Sequence, residues 1–355
     1  MTAPAPSPSR STPTQPPGRT AAAVLDEARQ RVEPALRAVV GTLPPEIRRI
    51  AGYHAGWWDA DGRPTGGQGK AVRPALALAC ARAVRGGPAA PHPRTGDAAV
   101  AAAVAVELVH DFSLLHDDVM DQDPVRRHRP AVWTVFGTGL ALLAGDTLLA
   151  AAVDLLGPTP AGKELTGAVL DLCVGQAADL QFEGRTDVGL DECLRMCEGK
   201  TGAVLGAACA TGALARGADD RTVDHYRAFG REVGLAFQLT DDLLGIWGDP
   251  AVVGKPVGGD LESRKKSLPV VAALRSGTAA GAELAALYRQ AGKPDAAAVA
   301  RAAHLVEAAG GRAWARAEAD RRSAAALAHL AAADPDPAAA ADLRALVDHL
   351  LVRER

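Results

Sequence analysis

Two segments about 120 residues apart carry paired aspartates: His116-Asp117-Asp118-Val119-Met120-Asp121 and Asp241-Asp242-Leu243-Leu244-Gly245. Each follows an apolar run with helical spacing, which places carboxylates at the rim of an apolar cavity. Carboxylates crowded there repel one another and resist desolvation unless a cation neutralises them. A hard divalent ion with oxygen ligands, Mg²⁺ first, is the natural counter-charge, and such ions are commonly shared with substrate phosphates. On a helix Asp117 and Asp121 share a face, with Asp118 alongside. The plain alternative is a solvated acidic helix end. Leu114, Leu115, Val119 and Met120 argue against it, because this helix end is not a charged surface run.

Positive charge lies close by in sequence. Arg126, Arg127, His128 and Arg129 follow the first motif, and arginine's planar fork grips phosphate oxygens two at a time. Gly69-Lys70-Ala71-Val72-Arg73-Pro74 sets a lysine and an arginine in a glycine-flanked turn at a predicted helix start. Backbone N–H groups and the helix dipole favour an anion there. Lys200-Thr201, Gly254-Lys255-Pro256 and the loop ending Arg264-Lys265-Lys266 add further cations. Singly these are weak signals. Two carboxylate-bearing helices with several basic loops predict room for two polyanions.

The elements that must position these groups are helical. Alanine and leucine dominate the 355 residues, aromatics make up 4%, and β-branched runs are short, which predicts an all-α body. Predicted helices span 21–40, 73–84, 97–121, 138–156, 161–183, 190–216 and 219–246, with others from 268 onward at 280–291, 295–308, 311–332 and 337–352. Residues 1–20, with six prolines and no acid, predict a disordered tail that is either inert or a docking segment for a partner. Residues 21–355 form the predicted domain. A net charge of −3 with scattered basic residues excludes an electrostatic nucleic-acid binder. Five cysteines without a CxxC pair predict reduced, packed thiols in a reducing, cytoplasmic setting. The apolar stretch from Val132 to Val153 carries Asp146 and three glycines, and is expected to lie within a helical bundle rather than to span a membrane.

Taken in order, GKxxRP at 69–74, Asp117-Asp118-x-x-Asp121 with Arg126-Arg127 behind it, Lys200-Thr201, Phe237-Gln238 before Asp241-Asp242, and Lys255 resemble the trans-type prenyl diphosphate synthases, or polyprenyl synthetases. The likeness covers roughly residues 25–350. It implies a large helical bundle around a deep central cavity, a homodimer, and isopentenyl and allylic diphosphates as substrates. By resemblance Asp117, Asp121 and Asp241 are Mg²⁺ ligands, with Asp118 and Asp242 in support. Arg126, Lys200 and Lys255 contact the allylic diphosphate. Lys70, Arg73, His110 and Arg127 form the isopentenyl diphosphate pocket, and Thr201 and Gln238 turn oxygen dipoles to the forming carbocation. Diphosphate then leaves the allylic C1, the isopentenyl double bond attacks the cation, and the released diphosphate takes the proton. His116 is expected to be structural.

Two departures stand out. Ala71 occupies a position where the family often has arginine, and Gly245 one where a third aspartate is usual, with Asp249 as a candidate substitute. Asp241, Gly245 and Asp249 also fall at the spacing of the metal ligands of class I terpene cyclases. Such a cyclase does not need Lys70, Arg73 and Arg127. A non-catalytic partner subunit is the other alternative, and the intact first motif argues against it. Phe112, five positions before Asp117, sits one turn below the metal site as a predicted floor of the cavity. One aromatic there resembles the pattern of geranylgeranyl (C20) synthases, with farnesyl (C15) as the runner-up.

Overall fold

Alanine costs no side-chain entropy in a helix and leaves no bulk between helices, and both consequences run through this fold. The computed structural model describes residues 19–66, 69, 71–248 and 258–351. Lys70, Asp249, Lys255 and residues 1–18, each given a role above, lie outside the described residues. The chain opens with α1 (Ala21–Gly41), α2 (Pro45–His54), α3 (Val72–Ala83) and α4 (Ala98–Met120). A hairpin of β1 (Val125–Arg126) and β2 (Arg129–Pro130) follows, then α5 (Val132–Phe136), α6 (Thr138–Leu156), α7 (Pro160–Glu183) and α8 (Leu190–Cys197). A π-helical turn at Glu198–Gly202 joins α8 to α9 (Ala203–Leu214), and α10 (Asp220–Trp247) is the longest element. The chain closes with α11 (Gly259–Glu262), α12 (Leu268–Leu274), α13 (Ala279–Tyr288), α14 (Ala296–Ala308), α15 (Gly311–Ala332) and α16 (Pro337–Leu351).

The helix starts follow their caps. Thr20, Asp97, Thr159, Asp219, Thr278 and Asp295 each accept a first-turn backbone N–H with the side chain, worth about 1 kcal/mol apiece. Thr20 and its neighbour Arg19, placed in the tail by composition, therefore belong to the folded body. Arg19 pairs with Asp342 of α16 and with Glu27, and Arg82 of α3 joins both acids.

The main core is built from α1, α3, α4, α6, α9 and the first half of α10. The second half of α10 enters a smaller core with α8, α12 and α15. Close helix contacts depend on missing side chains: a Cβ on Gly212 would meet Ala77 O at 2.1 Å, and one on Gly230 would meet Leu205 O at 2.3 Å. Four cysteines are buried and Cys173 is exposed.

Two helices, α4 and α6, are long and apolar enough to cross a membrane, and α12 with α13 would make a third if the bent pair were one span. In α4 72% of the apolar window is buried, but in α6 only 39%. The expected enclosure of the 132–153 stretch is thus half met. One face of α6 is open, with Leu143 56% exposed, and beside it on α7 Leu170 and Val174 are 64% and 72% exposed.

The expected single helix over 190–216 is interrupted by the π turn. Gly175 of α7 would, with a Cβ, stand 2.3 Å from Lys200 N, and Gly199 would stand 2.7 Å from Asp171 O. Two glycines thus bring α7 against the turn that carries Lys200 and Thr201, and such turns recur at functional sites.

Candidate active site

The first acidic motif ends α4, and three other elements bring cations to it. Lys200 Nζ donates to Asp117 Oδ1 at 3.0 Å and to Asp179 Oδ2 of α7 at 2.7 Å. Arg126 of β1 donates through Nε to Asp118 Oδ1 at 2.7 Å, and its Nη2 lies 3.7 Å from Asp117. Lys265 Nζ approaches Asp179 at 3.7 Å. Burial disfavours the charge on Lys265, but Asp179, Asp260, Asp121 and Asp242 around it reverse this and raise its pKa. Lys200 is raised in the same way, with Asp117 and Asp179 outweighing burial. Asp179 is held below the usual carboxylate range, because Lys265 and Lys200 overcome its burial.

The remaining carboxylates are less fully neutralised: Arg126 pairs with one oxygen of Asp118, and Lys200 and Lys265 act on Asp121 through charge alone. Burial, then the neighbouring Asp117, pushes Asp121 up to about 6. Asp118 is raised mainly by burial, against the pull of Arg126, and its Oδ2 is buried without a hydrogen-bond partner. Asp241, on α10, is exposed and makes no side-chain hydrogen bond or ion pair among the described residues. Among those residues no three acidic, imidazole or thiol groups are gathered closely enough to hold a metal ion by themselves. An all-oxygen donor set with an orphaned buried oxygen and a carboxyl held near neutrality fits a hard divalent ion that draws its other ligands from water and phosphate.

The second motif is arranged differently. Asp242 is 5% exposed; its Oδ1 accepts from Gln238 Nε2 at 2.8 Å and its Oδ2 from Leu268 N at 2.9 Å. Burial, then Asp260, pushes Asp242 up to about 7. Thr201 Oγ1 donates to Gln238 Oε1 at 2.9 Å. A Cβ on Gly245 would come within 3.1 Å of Asp260 Oδ2, so the carboxylate of Asp260 stands beside the gap that the missing third aspartate leaves.

A second basic site lies further back along α4. His110 is pushed down by burial, with Arg73 and Arg127 adding to the effect. Glu107 is pushed up to about 7 by burial and Asp111, against Arg73 and Arg127. Arg73 is itself lowered by burial, and its Nε is buried without a partner. Ala71 caps α3 in the left-handed region, φ 53°, a strained conformation for a residue with a Cβ. The four basic residues behind the first motif divide. Arg127 and His128, φ 51° and 62°, form the two-residue turn of the hairpin. Arg129 stacks on Tyr53 at 4.3 Å and donates to Tyr53 O and Trp58 O, so it fastens the hairpin to α2. A cavity of about 270 Å³ lies between them, lined by Tyr53, His54, Thr65, Arg126 and Arg127.

Phe112 is buried and meets His116 edge to face, with ring centroids 4.8 Å apart. His116 Nε2 lies 3.0 Å from Leu142 O and 3.4 Å from Asp146 Oδ1, both on α6. Gly145 makes room for the pair: a Cβ there would stand 2.4 Å from the His116 ring and 3.5 Å from Phe112.

Of the residues singled out in the sequence, Asp117, Asp118, Asp121, Arg126 and Lys200 converge, and Thr201, Gln238 and Asp242 form one hydrogen-bonded chain. Asp179 and Asp260 were not among them. Asp179 is one of four acids spread along α7 and lies outside the paired-aspartate segments; Lys265 was visible only as part of a basic run.

The profile of the polyprenyl synthetase family matches residues 64–306, and the chain belongs to that family. It is 48% identical over 340 residues to the geranylgeranyl diphosphate synthase of Mycobacterium tuberculosis, covering 94% of each chain. It is likewise 48% identical over 308 residues to the (2E,6E)-farnesyl diphosphate synthase of Mycobacterium bovis, covering 84% of each. Among solved structures it resembles the polyprenyl synthetase of Streptomyces coelicolor, with a TM-score of 0.86, 44% identity, and 93% of this chain and 99% of that one covered.

Proposed function

We propose that this enzyme condenses isopentenyl diphosphate with an allylic diphosphate to give a longer trans-prenyl diphosphate, ending at geranylgeranyl diphosphate. The observation that carries the reading is the pairing of two anion sites along one helix. His110 and Asp117 are seven residues apart on α4, about 10 Å of helix rise, which suits two diphosphates whose hydrocarbon ends must meet. The 48% identity to both a geranylgeranyl and a farnesyl synthase supports the reaction and leaves chain length to the floor residues.

In this reading Arg126, Lys200 and Lys265 take the allylic diphosphate; Lys255 joins them by resemblance alone. Asp117, Asp121 and Asp241 would hold Mg²⁺, with Asp118 and Asp242 near it. When bound, that ion neutralises charge on the departing diphosphate. The C1–O bond breaks with its electrons going to diphosphate, leaving an allylic cation. Thr201 and Gln238 turn oxygen dipoles to that cation. Arg73, His110 and Arg127, together with Lys70 by resemblance, orient the isopentenyl diphosphate so that its double bond attacks C1. Attack through the terminal alkene carbon leaves the charge on C3 of the isopentenyl unit, and a C2 proton then passes to the released diphosphate, its C–H electron pair forming the new double bond. His116 is tied to α6 and is not needed as a base.

Phe112, backed by His116 against Gly145, supports a floor that stops growth at C20, with C15 as the alternative. The apolar faces of α6 and α7, carrying Leu143, Leu170 and Val174, support a homodimer formed across them, in a soluble, cytoplasmic enzyme. The test is omission. Purified protein with Mg²⁺ should consume isopentenyl diphosphate only when an allylic diphosphate is also present. Hydrocarbon or alcohol formed from the allylic substrate alone would instead make the protein a cyclase.

A further inference from the structure

The chain Thr201–Gln238–Asp242–Leu268 has a direction, and that direction is fixed at its buried end. In its ionised form the Asp242 carboxylate only accepts hydrogen bonds. The Leu268 backbone N–H at the start of α12 occupies Asp242 Oδ2 at 2.9 Å. It is an orphan donor of a helix first turn, and Ser267, the N-cap, makes no side-chain cap bond there. Asp242 Oδ1 is then left to receive the Gln238 amide, which has to present its NH₂, at 2.8 Å. The carbonyl end of the same amide is turned the other way, where Thr201 Oγ1 donates to it at 2.9 Å. Thr201 uses its only proton in that bond, so its remaining exposed valence is lone pairs. Reversing Asp242 from acceptor to donor would rotate the amide and turn N–H groups toward Thr201 instead.

We propose that Asp242 is a positioning residue that fixes the orientation of the Gln238 amide, so that the oxygens of Gln238 and Thr201, and not N–H groups, face the developing carbocation. The proposal rests on the prenyl-transfer reading. It separates the two aspartates of the second motif: Asp241, exposed, is left for the metal, and Asp242 acts through Gln238.

The experiment is an exchange of hydrogen-bond polarity, read by steady-state kinetics with both substrates and by Mg²⁺ titration. In Asp242→Asn the new amide keeps its oxygen on Leu268 N but points NH₂ at Gln238, which must flip. The expected result is a fall in kcat of about 100-fold, with both KM values within about threefold and the Mg²⁺ requirement unchanged. The double variant Asp242→Asn with Gln238→Glu satisfies every bond again. The amide at position 242 then donates to a carboxylate at position 238, whose other oxygen accepts from Thr201. It should recover at least about tenfold of the loss. A double variant no better than the single, or a single whose loss is overcome by raising Mg²⁺, overturns the proposal. Should Asp242→Asn fail to fold, Gln238→Leu breaks the chain while sparing the Leu268 bond; an unchanged kcat there overturns the proposal too. Wild-type protein that elongates nothing overturns the functional reading along with it, whereas an active wild type matched by an equally active Asp242→Asn overturns the proposal alone.

Discussion

The carboxylates of the first acidic segment meet cations delivered by the hairpin, the π turn and the loop before α12, whereas Asp242 of the second segment meets N–H groups of its own helix and of the α12 start. Asp121 keeps a raised pKa and Asp118 keeps one buried oxygen without a partner; Asp242 has both oxygens occupied. In the proposed reading similar sequence serves two purposes: Asp117, Asp118, Asp121 and Asp241 gather charge for a ligand, while Asp242 directs the Gln238 dipole.

The comparison breaks most sharply at Asp117. Asp117→Asn should lower turnover by about 1000-fold or more, with the far-UV circular dichroism unchanged; retained turnover would remove the first segment from the chemistry. Asp179→Asn comes next. It strips the acid shared by Lys200 and Lys265, and an approximately tenfold loss in kcat/KM for the allylic substrate is expected from two cations left misplaced, measured by initial rates. Phe112→Ala should keep the rate within about threefold yet lengthen the products, as read by mass; an unchanged distribution would put the floor elsewhere. Gly245→Asp tests whether the second segment wants a third acid. With Asp260 already within 3.1 Å of where the Cβ would stand, like charges collide, so the rate should not rise and thermal stability should fall slightly.

The smallest effect concerns Glu107 in the second basic site. Its folded pKa of about 7 exceeds the ~4.3 of an unfolded glutamate. Its protonation therefore favours the folded chain, a contribution complete below about pH 4.3 and lost as pH rises through about 7. In Glu107→Gln the fall of Tm between pH 5 and pH 8 should be shallower than in the wild type; parallel curves would contradict the assignment.

Much of this was legible in the sequence because alanine-rich apolar runs punctuated by glycine leave little ambiguity: 138–156 and 311–332, which start after Gly137 and Gly310, were read to the residue. The π turn was not legible, because it arises from Gly175 of α7 pressing on Gly199 and Lys200, a contact between residues 24 and 25 positions apart. The hairpin was missed for a local reason: Arg127-His128 adopts positive φ without the Asn-Gly signal that announces such turns. In the site, residues grouped in motifs could be found, but the partners that orient them could not. Asp179 lies outside the paired-aspartate segments in sequence and is a hinge of charge in space, and Arg129, counted with the phosphate-binding arginines, proved to hold the hairpin to Tyr53.

The most direct test is to give the purified protein Mg²⁺, isopentenyl diphosphate and in turn the C5, C10 and C15 allylic diphosphates, and to weigh the products. Accumulation of a C20 diphosphate from all three primers is the predicted result. A series that ends at C15 would contradict the assigned floor, and failure to extend any primer would contradict prenyl transfer itself.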